Sequence, residues 1–120
     1  MKISIIIPSY NKGKTLRRSI ESVLNQNYKE FEIIVIDGGS NDGSIEILRS
    51  FKEKIFWISE PDKGQANAIN KGLKLATGKI VKWLNADDIL SKDSLFIAAS
   101  FFRKNEKVDF VYGDISFIDI

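Results

Sequence analysis

An α/β fold, with a mostly parallel sheet covered by helices on both faces, is the class this chain predicts. Short β-branched runs alternate with amphipathic stretches of helical period along most of its length. The strand-like runs are apolar at successive positions rather than at every second one, the pattern of strands buried on two faces. Strict strand–helix alternation implies right-handed crossovers, and these make neighbouring strands parallel.

Ile3-Ser4-Ile5-Ile6-Ile7 forms the first strand, with Pro8 as its stop. Leu16, Ile20, Val23 and Leu24 follow at helical spacing and share one face. Phe31 to Ile36 is a second β-branched run, closed by Asp37-Gly38-Gly39, and Ile45, Leu48 and Phe51 mark the next helix. Ile55 to Ile58 reads as a third strand, with Pro61 shortly after it. Ala66, Ile69, Leu73 and Ala76 line a third helix that Gly78 ends. Ile80 to Leu84 is the fourth strand, Ser94 to Arg103 the fourth helix, and Val108 to Tyr112 a fifth strand. One domain over residues 1–120 is expected, with no internal repeat or linker.

Composition narrows the chemistry. Apolar residues make up 43% and charged residues 28%, which suits a globular domain with a real core. Eighteen basic residues against sixteen acidic ones leave +2, with the lysines scattered, so a nucleic-acid partner is not expected. The chain has no His and no Cys. That excludes disulfides, thiol nucleophiles, Cys/His zinc sites and histidine acid–base work. Any metal must be hard and oxygen-bound, which leaves Mg²⁺ or Mn²⁺. Pro8, Asn11 and Lys12 interrupt the opening apolar run too early for a signal peptide, and Phe96 to Phe102 is too short to span a bilayer. A soluble chain is expected.

Open parallel sheets bind ligands outside the carboxyl ends of their strands. Here polar clusters follow those ends: Pro8-Ser9-Tyr10-Asn11, then residues 37–43, then 60–65, then Asn85-Ala86-Asp87-Asp88. The opposite rim carries ordinary connectors such as Ala76-Thr77-Gly78. Asp87 and Asp88 are the sharpest signal. Two adjacent carboxylates repel each other, and a divalent cation relieves that repulsion. An N-terminal cap for the next helix is the plainer role, but Ser91 and Asp93 already stand closer to that helix. Asp42 is expected to cap the second helix, whereas Asp37 falls on the strand end itself. Tyr10 either packs on the sheet rim or stacks on a nucleobase. Asn67 and Asn70 share a helix face, where they bond to backbone or face the cleft. No glycine-rich phosphate loop occurs, so phosphates would be neutralised mainly by a metal.

Five segments in this order, 4–11 (SIIIPSYN), 35–44 (VIDGGSNDGS), 59–64 (SEPDKG), 70–72 (NKG) and 83–88 (WLNADD), resemble the family 2 glycosyltransferases, inverting enzymes of the GT-A type. The resemblance implies a Rossmann-like GT-A sheet cut short after the fifth strand. It also implies a nucleotide-diphosphate-sugar donor across the strand ends, with Mg²⁺ or Mn²⁺ on its diphosphate. Pro8 and Tyr10 match the nucleoside pocket. Asn11, Asp37, Gly38, Asn67, Asn70, Asn85 and Asp87 complete the expected donor site, and Asp87 and Asp88 the expected metal site, with Asp88 favoured as ligand.

Two positions depart from the family pattern. Gly38 replaces the second acid of Val-Asp-Asp-Gly-Ser, which in relatives often contacts the base. Asn85 stands where many members have the first Asp of D-x-D-D. The family's general base lies beyond the metal motif, so no catalytic base is expected before Ile120. The chain is therefore expected to be the donor-binding part of a longer, cytoplasmic enzyme, peripheral to the inner face of the membrane. Its acceptor would be a glycan or a lipid-linked sugar. A homodimer through an exposed apolar face is one arrangement considered. The competing reading is a non-catalytic nucleotide-sugar-binding or interaction module. A phosphoacceptor receiver domain would need an acid pair after the first strand, where Pro8-Ser9-Tyr10 stands.

Overall fold

The computed structural model describes residues 1–118. Strand β1 (Ile3–Ser9) leads to helix α1 (Leu16–Leu24), β2 (Phe31–Asp37) and α2 (Ser44–Ser50). A short 3-10 turn (Lys52–Lys54) precedes β3 (Phe56–Ser59), followed by α3 (Gln65–Leu75), β4 (Ile80–Trp83) and α4 (Ser94–Lys104). The strands form one sheet in the order β3-β2-β1-β4, with every pair parallel.

The β-branched runs occupy the centre of this sheet. All seven residues of β1 are buried, as are Ile33 to Asp37 of β2, so both strands are covered on two faces as their unbroken apolar runs predict. Side chains alternate between the faces. Ile3, Ile5, Ile7, Ile33 and Val35 pack with Leu16, Ile20 and Val23 of α1, Leu48 of α2, and Leu95 and Ala99 of α4. Ile34 and Ile36 meet Ala68 of α3 in a second, smaller cluster. Among the described residues, α3 is the helix that covers that face. It comes close because Gly72 has no side chain: a Cβ there would lie 2.5 Å from Ile6 Cγ2.

The expected fifth strand is absent. Residues 105–118 form no strand, and Phe110 and Tyr112 are 78% and 87% exposed. Strand preference for such residues is chiefly burial and cross-strand packing; this segment pairs with no strand, and only Val108 and Val111 in it are partly buried. The sheet consequently ends at β4, whose Val81 and Trp83 are exposed.

The rim at the amino ends of the strands is less bland than the sequence suggests. Glu32 Oε1 accepts Ser4 Oγ–H at 2.6 Å, Thr77 N–H at 2.7 Å and Thr77 Oγ–H at 2.9 Å. Its other oxygen lies 3.4 Å from Lys2 Nζ, and Ser4 Oγ accepts the Gly78 N–H at 2.8 Å. Burial pushes the Glu32 carboxyl up, but the Ser4, Thr77 and Lys2 donors outweigh it and hold it down at about 2. This network is satisfied from within the chain and clamps the α3–β4 turn to β1 and β2.

Candidate functional site

The register brings the strand ends to one edge. Ser9 of β1 lies opposite Asp37 of β2, and Asp37 opposite Ser59 of β3. An open cleft of about 750 Å³ lies beyond this edge, on the side of α3. Pro8, Tyr10 and Lys12 reach it from the segment after β1, Gly38 from the end of β2, and Asn85 and Asp87 from the segment after β4. Pro61, Asp62, Gly64 and Gln65 close its other wall, from the β3–α3 connection into the start of α3. A shallower hollow of about 540 Å³ lies near the opposite edge, between Glu21, Leu24, Lys29 and Phe51, and no sequence-predicted site residue lines it.

Pro8, Tyr10, Gly38, Asn85 and Asp87 all line the cleft. Tyr10 is 59% exposed, so its ring is free to stack rather than pack in the core. Gly38 exposes bare backbone between Asp37 and Gly39, and its N–H donates to Ser9 O at 2.9 Å.

Four predicted donor-site residues lie outside the cleft wall, and three of them serve the frame. Asp37 is fully buried. Its carboxylate accepts the Gly39 and Ser40 N–H groups at 3.0 and 2.8 Å, and the Ser40 and Ser59 hydroxyls at 2.6 and 2.8 Å. With four donors satisfied internally, it shapes the 38–43 loop and has no lone pair turned to a ligand. Asn11 adopts a left-handed φ of 51° and accepts the Asn41 N–H at 2.9 Å, tying the loops after β1 and β2 together. Asn67 accepts the Lys63 N–H at 3.1 Å, which is the backbone-bonding alternative. Asn70, one helical turn further along α3, is exposed and outside the cleft lining.

Asp42 acts as a helix-start ligand, one residue before the Gly43 N-cap. It accepts Ser44 Oγ–H and N–H at 2.6 and 3.1 Å, and Gly13 N–H at 2.8 Å. The Ser44 hydroxyl and then the Gly13 N–H hold its carboxyl below the usual range. Asp93 does not cap α4 with its side chain; it accepts the Asn27 amide at 2.5 Å instead.

The twin acids stand together beyond β4, both exposed. Asp87 Oδ2 lies 3.5 Å from Lys12 Nζ. Asp88 Oδ2 receives the Asn85 amide at 3.4 Å and lies outside the cleft lining, so Asp87 is the better presented of the two. Asn85 Oδ1 in turn accepts Gln65 Nε2–H at 2.5 Å and Trp83 Nε1–H at 2.9 Å, which ties the segment after β4 to the start of α3. Among the described residues no group of three or more carboxylates gathers as a self-contained metal site. A Mg²⁺-type ion needs only one or two protein carboxylates when phosphate oxygens and water complete its shell. An oxygen-only pair at the rim of an open cleft fits that case.

Lys12, Asp62 and Gln65 went unassigned in the sequence. Their signal was position: each closely follows a strand end on the binding edge. Ser9 is a further surprise. Its Oγ is the buried side-chain polar atom left without a partner among the described residues.

The model of the family "Glycosyl transferase family 2" matches residues 4–118. The chain belongs to this family. It is 37% identical over 115 residues to poly-beta-1,6-N-acetyl-D-glucosamine synthase of Staphylococcus epidermidis, covering 93% of this chain and 28% of that protein. It is also 37% identical over 117 residues to the PGL/p-HBAD biosynthesis glycosyltransferase of Mycobacterium bovis, covering 93% of this chain and 46% of that one. The chain thus spans less than half the length of these relatives. Among solved structures, S. aureus TarS 1-349 in complex with UDP-GlcNAc superposes with a TM-score of 0.81 at 29% identity, over 88% of this chain and 32% of that one. The mannosyltransferase PcManGT from Pyrobaculum calidifontis, in complex with GDP-Man and Mn2+, gives 0.77 at 28% identity, over 83% and 32%. The fold is therefore of the GT-A type. No helix of the described residues is long and apolar enough to cross a membrane.

Proposed function

We propose that this chain is the donor-binding part of an inverting glycosyltransferase, which moves a sugar from a nucleotide-diphosphate-sugar to a glycan or lipid-linked acceptor. One observation carries the reading. A single cleft at the carboxyl ends of the strands holds an exposed aromatic beside bare backbone, Tyr10 and Gly38, and a cation–carboxylate pair, Lys12 and Asp87. A nucleoside needs the first and a diphosphate the second. UDP-GlcNAc bound to TarS and GDP-Man with Mn2+ bound to PcManGT support the same class of ligand.

Asp87 and Asp88 would hold Mg²⁺ or Mn²⁺ with the donor's diphosphate. When bound, the ion supplies Lewis-acid stabilisation of charge on the departing nucleoside diphosphate. Lys12 adds a second positive charge on the same side. Its pairing with Asp87 keeps it poised there and leaves it free to turn toward phosphate oxygens. Gln65 and Trp83 orient the Asn85 amide, so that its NH₂ group points to Asp88 and steadies that carboxylate. Tyr10 excludes water from one face of the nucleoside. We assign the acceptor-activating base to no residue of this chain, and the working site would lie on the cytoplasmic side, peripheral to the membrane.

Calorimetry with uridine and guanosine diphosphates, with and without Mn²⁺, tests the reading. Metal-dependent binding that Asp87→Ala with Asp88→Ala abolishes is expected. If neither diphosphate binds under any condition, the donor-site reading fails and a scaffold role takes its place.

A further inference from the structure

Asp62 carries an inference beyond the donor class, and it rests on the donor-site reading above. A Cβ built on Gly38 would lie 3.0 Å from Asp62 Oδ2 and 3.2 Å from Oδ1. The Asp62 carboxylate therefore fills the volume that a side chain at position 38 would enter. It is fixed there from one side only. Oδ1 accepts the Gly64 N–H at 2.9 Å, in a turn where Gly64 takes a φ of 109° that other residues rarely adopt. Oδ2 has neither a hydrogen-bond donor nor an ion-pair partner among the described residues. The residue is half-buried in the cleft wall that Pro8 and Tyr10 also line.

We infer that Asp62 is the residue that reads the nucleobase, and that it selects a base with a ring N–H on its pairing edge. The sheet order places it. Asp62 follows β3 and Asp87 follows β4, at opposite ends of β3-β2-β1-β4, roughly 14 Å apart at the usual spacing of neighbouring strands. A diphosphate held at the Lys12–Asp87 end puts the base at the Asp62 end. A carboxylate there repels phosphate and accepts only donors. Uracil offers a ring N–H between two carbonyls, and guanine offers a ring N–H beside an amino group. Cytosine and adenine instead turn a ring nitrogen lone pair toward the same place, against the charge of Asp62. Gly38 belongs to the device, because even a methyl group at 38 would crowd Oδ2.

Titration calorimetry in Mn²⁺ with the diphosphates of uridine, guanosine, cytidine and adenosine provides the test. The unsubstituted chain is expected to bind the uridine or the guanosine ligand at least roughly tenfold tighter than the other two. A charge-assisted hydrogen bond is worth that much or more. Asp62→Asn keeps the oxygen that caps Gly64 and replaces the other by a donor. It should cost the preferred ligand roughly tenfold and leave the cytidine ligand unchanged or tighter, with an unaltered melting temperature. Gly38→Ala should weaken the preferred ligand in the same direction by displacing Oδ2. Equal binding of all four bases, or an Asp62→Asn effect that is the same for every base, would overturn this role while leaving the donor cleft intact. Absence of binding by all four would sink both.

Discussion

Replacing Glu32 by Gln isolates one charge in the clamp at the amino edge of the sheet. The ordinary glutamate value of 4.5 falls to about 2 here, because Ser4, both donors of Thr77 and Lys2 outweigh the cost of burial. That gap corresponds to about 3 kcal/mol at most. The side chain is 25% exposed, so solvent screening brings the expected contribution to about 2 kcal/mol. The sign follows from the depressed value. The unfolded chain takes up the proton first as the pH drops, so the stabilisation is complete above about 4.5 and is lost down to about 2. Glu32→Gln keeps an oxygen for Ser4 and Thr77 but carries no charge. Urea unfolding between pH 7 and pH 3 should show the variant about 2 kcal/mol less stable at neutrality, with less than about half of that difference left at pH 3. A gap that stays constant over this range, or no gap at pH 7, would show that the Glu32 charge is not the source of the stabilisation.

Other substitutions separate the frame from the cleft. Gly72→Ala forces a methyl group against Ile6 at the tightest helix–sheet approach, and thermal unfolding should register a loss of about 1–3 kcal/mol; an unchanged melting temperature would mean that α3 rides further from β1 than described. Asp37→Ala strands four donors at the end of β2, so it should cost about 3 kcal/mol or more and weaken nucleotide binding together with stability. If binding fell with stability untouched, Asp37 would be a ligand contact and not a loop organiser.

The centre of the fold was legible because its signal is burial on two faces. Short unbroken runs of β-branched Ile and Val suit the interior strands of a covered sheet, and β1 and β2 came out as such. The edges were not legible on the same grounds. Val81 and Trp83 on β4 are as strand-like as the interior residues yet half exposed, and the similar run at 108–112 forms no strand. Composition reports a preference for a pleated, half-buried surface, and whether such a surface is there depends on the rest of the fold. Helices α1 and α2 followed their apolar stripes, whereas α3 buries Ala68 and Gly72 and leaves Ala66 and Leu73 of its expected stripe exposed, because the close approach to Ile6 favours the small residues.

The binding edge was legible as an edge and only partly as a set of residues. Parallel topology alone puts every strand's carboxyl end on one side, so the cleft could be located from the alternation of elements. Within it, an acid is ambiguous, because the same carboxylate can bind a ligand or satisfy its own loop. Asp37 and Asp62 show both outcomes at neighbouring strand ends. Asp37 lies inside β2 and is followed at once by the turning loop, so the N–H groups of Gly39 and Ser40 converge on it and Ser59 completes the set from the next strand. Asp62 lies three residues beyond β3, past Pro61, and only the Gly64 N–H reaches back to it. The number of backbone donors that converge on a carboxylate thus decides whether it is left free for chemistry, and that number depends on the loop's path through space, which residue types at given spacings do not fix.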